Sequence, residues 1–351
     1  MGNLKDYNIK YTDEWLKPVY ESRSKLSFFK DTPLKLFEFQ NVTVLPMQPA
    51  SSPIEIRAGG LYDESGNILE CSKILPNRII NPQKINVDSA PFSQKSEAVY
   101  IGAFWEHWGH FILEQISRLY YLLNETKTKD LDLIYIADKP LEGNYLEFFE
   151  LLGVDTKRLV WIDTLTKYKK LYIPEVSMVA MKYYTKEYQK IYETIKTKAA
   201  KIKGYEKVFY TTSNFSRSPY KDFGELKAIE KIFADNGYKI VSPEQKTLKE
   251  QISIMQSCKE FAAISGTLPH NILFANKGVN FIIMNKSYVI NYHQWLIDDA
   301  TGIIPAYIDV HCSILPGHVG RGPFFYRITD KLIKYHNDNN MIMNYKKYPD
   351  Y

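Results

Sequence analysis

The sequence predicts an α/β protein built from two Rossmann-like halves that face a central cleft. Three observations carry that prediction. Short apolar runs rich in β-branched and aromatic residues recur along the chain, stretches with helical patterning separate them, and the alternation restarts after Gly204. A length of 351 residues suits two domains. The expected boundaries are 1–184 for an N-terminal α/β domain, 185–325 for a C-terminal α/β domain, and 326–351 for a tail that returns to the first.

In the first half, Asn41 to Pro46 (NVTVLP) reads as a strand stopped by proline. Gly59-Gly60 and Asp63 to Asn67 (DESGN) bracket hairpin pieces. Ala98 to Ala103 (AVYIGA) is a buried-strand candidate, and the apolar run from Trp108 to Asn124 reads as a helix. Leu131 to Ala137 is the next strand, Tyr145 to Leu152 a helix capped by Gly153, and Arg158 to Ile162 a third strand. Thr185 to Lys203 predicts a long polar helix with six lysines. It is either a solvated linker or a basic face suited to an anionic membrane.

The second half repeats the rhythm. Strands are expected at Lys207 to Thr212, Tyr238 to Ser242, Phe261 to Ile264 and Val279 to Asn285. Helices fall between them at Phe223 to Asn236, Leu248 to Ser257 and Pro269 to Asn276. The polar stretch 336–351 reads as frayed.

Composition narrows the function. Lys plus Arg is 45 against 40 for Asp plus Glu, a net +5 that is too mild for a nucleic-acid binder. The 27 tyrosines favour polar ligands such as sugars, which meet both the ring face and the hydroxyl. Three cysteines without a CxxC pair support neither a zinc ribbon nor a disulfide framework. The polar N-terminus has no signal-peptide core, and no apolar run is long enough to cross a bilayer, so the expected location is the cytoplasm or the inner face of the cell membrane. Nothing in the pattern sets an oligomeric state.

Two segments carry the chemistry. In WEHWGHFILEQISRL, His110, Glu114 and Arg118 stand four residues apart and form one polar stripe on an apolar helix. A packing network is one reading. The other turns the stripe to the cleft, with His110 as general base oriented by Glu114, or Glu114 itself as the proton acceptor. His107 stands close enough to replace His110.

In FAAISGTLPHNILFANKG a strand runs into Ser265-Gly266-Thr267, and Pro269 holds the first helical turn. Such a turn offers backbone N–H groups and a helix dipole to phosphate, with Thr267, His270 and Asn271 as added donors. Arg217 follows a strand and belongs to the same carboxyl edge, either as a bidentate phosphate ligand or as a surface residue. Glu225 opens a helix, and Glu244 follows the YKIVS strand, placed to hold ribose hydroxyls or to cap a turn. No paired-acid loop follows a strand. Asp298-Asp299 comes nearest and reads as solvent-facing, so no metal is expected.

From Gly59 to Phe325 these segments together resemble the glycosyltransferase family 61 catalytic domain. GGLYDESGNIL looks like its early hairpin. WGHFILEQISRLYYLL is similar to its His, carboxylate and Arg pattern, and KVFYTTSNFSR with Glu225 to its strand–Arg–Glu segment. The most specific match is YKIVSPEQKTLKEQISIMQSCKEFAAISGTLPHNILFANKGVNFIIMNK. One departure is Ser265, where the family usually has a His before the glycine, and His270 is the candidate replacement. The variant is similar to bacterial capsule and exopolysaccharide members.

The resemblance implies a GT-B fold and an inverting, metal-independent transfer from a nucleotide-sugar, with no other cofactor. The donor would lie on the C-terminal domain, at Arg217, Glu225, Glu244, Ser265, Gly266, Thr267, His270 and Asn271. A glycan or lipid-linked glycan acceptor would come from the N-terminal side, where His110 and Glu114 lie, in capsular or extracellular polysaccharide synthesis. The alternatives are a pyruvyl- or phospho-group transferase acting on polysaccharide, and a non-catalytic sugar-binding protein.

Overall fold

The computed structural model describes residues 8–48, 59–73, 85–199, 204–214, 222–312 and 322–344. Contacts divide the chain into two units, Phe29–Lys198 and Met1–Phe28 with Ala199–Tyr351. Each is α/β, one around a mixed sheet and the other around a parallel one.

Among the described residues the sheet of Phe29–Lys198 has six strands in the order Gly60–Tyr62, Leu36–Leu45, Thr166–Pro174, Glu97–Phe104, Asp132–Ala137 and Leu159–Trp161. The last four run parallel, and the first two add antiparallel pairs. Thr166–Pro174 is a strand that the sequence pattern hides. Lys167, Lys169 and Lys170 break its apolar run, yet it pairs on both sides. The expected helix from Trp108 to Asn124 divides into an α-helix, Trp108–Leu113, and a 3₁₀ stretch, Gln115–Leu123. Gly143–Leu152 is helical and ends at Gly153 with φ +88°, the left-handed stop expected from its sequence.

In the other unit all pairings of the main sheet are parallel. The order is Asn8–Tyr11, Ala306–Asp309, Asn280–Asn285, Glu260–Ile264, Lys207–Tyr210 and Lys239–Val241. Counted from Lys207–Tyr210, the strands run second, first, third, fourth, fifth. The winding therefore reverses between Lys207–Tyr210 and Glu260–Ile264, and in such sheets ligands bind outside the carboxyl ends at the reversal. Phe209, Ala262, Ile282 and Ile308 form its apolar centre with the helix residues Ile229, Phe233 and Leu332.

The contact grouping differs from the expected domain boundaries at three places. The first 28 residues join the C-terminal unit, because Asn8–Tyr11 extends its sheet and Tyr20 packs on Tyr307 with ring centroids 4.7 Å apart. The helix Lys186–Lys198 belongs to the earlier unit. Tyr188, Ile191, Tyr192 and Ile195 bury one face there, so the lysines mark only the outward side. Residues 326–344 pack within their own unit. Asp330–Asp338, capped by Thr329, is a helix that buries Leu332 and Tyr335, so the order expected to be lost from residue 336 persists through Asp338.

Candidate active site

The Glu97–Phe104 strand ends at the start of the Trp108–Leu113 helix, and three residues turn the corner. The loop is fixed by Gln115. Its side-chain oxygen accepts from the Trp105 N–H at 3.1 Å and its nitrogen donates to the Trp105 carbonyl at 3.3 Å. His107 caps the helix, its Nδ1 accepting from the His110 N–H at 3.4 Å.

One turn in, His110 Nδ1 lies 2.8 Å from Glu114 Oε2, the i to i+4 pair that an α-helix brings together. The Glu114 side chain is 0% exposed and that of His110 14%, so of the two only the imidazole reaches solvent. Glu114 Oε1 has no hydrogen-bond partner among the described residues, which leaves His110 as the carboxylate's donor. Nδ1 is therefore assigned the proton, and the basic lone pair falls on Nε2.

Arg118 does not continue the stripe. The 3₁₀ geometry after Leu113 shifts the side-chain period from 3.6 to 3.0 and turns residue 118 away. Its Nη2 instead donates to the carbonyls of Cys71 at 2.7 Å and Lys73 at 3.3 Å, and burial pushes its pKa down. The change of helix type also leaves the Ile112 carbonyl outside the α-helical ladder. The hydroxyls of Tyr188, at 3.0 Å, and Tyr192 both donate to it. Beside this corner a pocket opens at the carboxyl ends of Glu97–Phe104 and Asp132–Ala137, lined by Trp105, Glu106, Asp138, Lys139, Glu142 and Tyr145.

The other unit carries the glycine turn. Glu260–Ile264 ends at Ser265, whose N–H donates to Met284 O at 2.8 Å and whose Oγ accepts from the Lys286 N–H at 3.1 Å. Gly266 has φ +130°, a left-handed conformation that disfavours any side chain. A Cβ there would lie 3.3 Å from the Lys286 ammonium. A pocket between the strand ends is lined by Ser265, Gly266, Pro269, Asn285, Asn291 and Tyr307.

Lys286 is a residue that the sequence reading missed. The pairing of Asn280–Asn285 with Glu260–Ile264 carries the end of its strand to the turn. Half-buried, Lys286 sits 4.0 Å from the Phe324 ring centre, and burial pushes its pKa down to about 8 against the pull of Asp222. No motif marks it, because the register of two strands places it.

Several expected donors have other work. The helix after the turn is a seven-residue 3₁₀ stretch, Leu268–Phe274, and not an α-helix. His270 is buried and its Nδ1 donates to the Gln294 amide oxygen at 2.8 Å. Asn271 is buried and donates to Leu268 O at 2.9 Å. Thr267 precedes the stretch without a side-chain cap bond. Glu225 accepts from the Ile328 N–H at 2.7 Å and so ties the chain after Phe325–Tyr326 to the following helix. Glu244 is exposed just beyond Lys239–Val241. Arg217 lies outside the described residues. Asp298 is not solvent-facing: fully buried, it accepts from Gln294 Nε2 at 2.8 Å and the Tyr307 hydroxyl at 3.2 Å. Asp299 accepts from the Phe28 N–H at 2.7 Å. Adjacent helix positions diverge by about 100°, which is why these two carboxylates serve different neighbours.

Residues 108–282 match the family model described as glycosyltransferase 61. The chain belongs to glycosyltransferase family 61. The matched stretch of this family 61 member begins at the His110 helix and ends inside Asn280–Asn285, so it holds both the His110–Glu114 pair and the Gly266 turn. Lys286 follows it. A comparison with curated proteins gives no match.

Proposed function

We propose that this glycosyltransferase moves a sugar from a nucleotide-sugar to a hydroxyl of a glycan or lipid-linked glycan, with inversion and with no metal in the transfer step. The observation that carries the reading is the 2.8 Å bond between His110 Nδ1 and the buried Glu114 carboxylate. With the proton assigned to Nδ1, Nε2 is our candidate to take the proton of the acceptor hydroxyl while the oxygen attacks the anomeric carbon. Glu114 then stabilises the imidazolium. Fully buried, Glu114 is badly placed to meet an acceptor itself, which favours His110 as the base. The pocket beside Trp105 and Tyr145 offers aromatic faces and charged edges suited to a sugar acceptor.

Bond breaking to the phosphate sends an electron pair to the departing nucleoside diphosphate. The Gly266 turn and the Lys286 ammonium are our candidates to stabilise that charge, together with Arg217 on sequence grounds. Asp298 and Asp299 are engaged inside the fold and are not our candidates for a metal-binding pair. In this reading the two units share the work as GT-B enzymes do, with the donor on the C-terminal one. Its biological setting is capsular or extracellular polysaccharide assembly on the cytoplasmic side of the membrane. No helix of the described residues is long and apolar enough to cross a membrane.

A thermal-shift panel of nucleoside diphosphates, nucleotide-sugars and phosphoenolpyruvate tests the donor class. A nucleoside diphosphate should raise the melting temperature. A shift with phosphoenolpyruvate alone would move the reading to pyruvyl transfer.

A further inference from the structure

Near opposite ends of the chain lie three residues that the transfer chemistry does not use. Asp13 follows the carboxyl end of Asn8–Tyr11, Asp309 ends the adjacent parallel strand Ala306–Asp309, and His311 stands two residues further on, opposite Tyr326. Their ligating atoms all lie within 4.8 Å of one another, and His311 Nε2 is 4.0 Å from Asp309 Oδ1. Among the described residues no other group of three His, Cys, Asp or Glu converges in this way.

A second observation points to a missing partner. The His311 side chain is 2% exposed, yet neither ring nitrogen has a hydrogen-bond partner among the described residues. Buried imidazoles are ordinarily hydrogen-bonded or metal-bound, since an unsatisfied polar atom in the interior is costly. Asp309 is held in place for a ligand. Its Oδ1 accepts from Asn285 Nδ2 at 2.8 Å and its Oδ2 from the Asp13 N–H at 2.7 Å, and each oxygen keeps a further lone pair. Access comes from the side of Asp13, whose side chain is 25% exposed and pairs with Lys331 at 3.0 Å.

We propose that Asp13, Asp309 and His311 form a binding site for a divalent first-row transition cation, of the Mn²⁺ or Zn²⁺ class. One imidazole with two carboxylates is a donor set for such ions and not for Ca²⁺, which prefers oxygen alone. Bond lengths of about 2.0–2.2 Å require the three side chains to close on the ion from their present spacing. The ion takes the place of the Lys331 ammonium at Asp13, and the long Lys331 side chain, 40% exposed, swings into water. The site is structural. It ties the N-terminal strand to the sheet edge, and through Asn285 it reaches one residue of the Gly266 pocket.

Isothermal titration of the EDTA-stripped full chain with Mn²⁺, Zn²⁺ and Ca²⁺ tests this without an activity assay. One Mn²⁺ or Zn²⁺ per chain is expected, with a higher melting temperature when it is bound and no response to Ca²⁺. His311→Gln should weaken binding at least tenfold. Lys331→Met, which removes the competing ammonium and keeps the fold, should strengthen it severalfold. Absence of saturable binding at one ion per chain, or binding that neither variant changes, overturns the proposal. If His311→Gln does not fold, the response of Lys331→Met decides.

Discussion

The His110–Glu114 pair and the Gly266 turn both follow a parallel strand, but their surroundings differ. Beside the pair in the chain Phe111, Ile112, Leu113 and Ile116 are buried, the His107 ring stands 4.4 Å from that of His110, and among the described residues the Glu114 carboxylate has one donor. Around the turn the side chains are polar and bonded to one another, from His270 through Gln294 to Asp298 and Tyr307. An apolar setting strengthens the electrostatics of one pair and makes each atom of it matter. A crosslinked polar setting fixes a shape and spreads the energy over many bonds.

The comparison is most easily broken at the proposed base. His110→Ala should cut the transfer rate by about 10²–10⁴ while donor affinity and melting temperature barely change. Glu114→Gln should slow transfer as well, because the imidazolium loses its counter-charge. Should Glu114→Gln be much slower than His110→Ala, Glu114 would be the proton acceptor. If His110→Ala instead costs a few kcal/mol of stability and activity falls only with the folded fraction, the pair is a packing network.

The next largest effect is expected at Lys286. Lys286→Met should weaken nucleoside diphosphate binding by about 1.5–3 kcal/mol in calorimetry, the scale of a charge-assisted contact. The pH dependence has two signs. Affinity for the diphosphate should fall as pH rises through about 8, where the folded side chain loses its proton. Stability should move the other way. The unfolded side chain titrates near 10.5, so between about 8 and 10.5 the unfolded chain holds the extra proton and the folded state gains as pH rises. Lys286→Met should flatten both trends, and a wild-type affinity independent of pH from 7 to 9 would remove Lys286 from the donor site.

Gly266→Ala should lower stability by about 1–3 kcal/mol, since it places a side chain at φ +130° and close to the Lys286 ammonium. Denaturant unfolding checks this, and an unchanged midpoint would mean that the turn relaxes freely. The smallest effect is expected from Tyr188→Phe, about 1 kcal/mol for one lost hydroxyl bond, because Tyr192 still serves the Ile112 carbonyl. The double Tyr188→Phe, Tyr192→Phe change should cost more than the sum of the two single changes, measured by the same unfolding curves.

What the sequence discloses follows from how local each feature is. The His110–Glu114 contact is set by one turn of α-helix, so spacing alone predicts it. Arg118 obeys the same spacing and still goes elsewhere, because the backbone tightens after Leu113, a change that apolar periodicity does not record. The parallel rhythm of both sheets is legible in Glu97–Phe104, Asp132–Ala137, Glu260–Ile264 and Asn280–Asn285, which are apolar and buried on both faces. Thr166–Pro174, Asn8–Tyr11 and Ala306–Asp309 are lysine-bearing or only a few residues long, and partners far away in the chain decide that they are strands. Lys286 reaches the glycine turn through strand register, and the Glu225 carboxylate accepts from a backbone N–H more than a hundred residues later.

The pairing of Asn8–Tyr11 with Ala306–Asp309 has a consequence for biosynthesis. Phe29–Lys198 is continuous in the chain, and the six described strands of its sheet are all made once its own residues are. The segment that holds Asn8–Tyr11 is made well before Ala306–Asp309 and has no strand to join until that one has left the ribosome. Its apolar residues Tyr11, Leu16 and Tyr20, buried in the finished protein, must wait in water or on a chaperone during that interval. Asn8–Tyr11 therefore waits for a partner strand made much later in the chain.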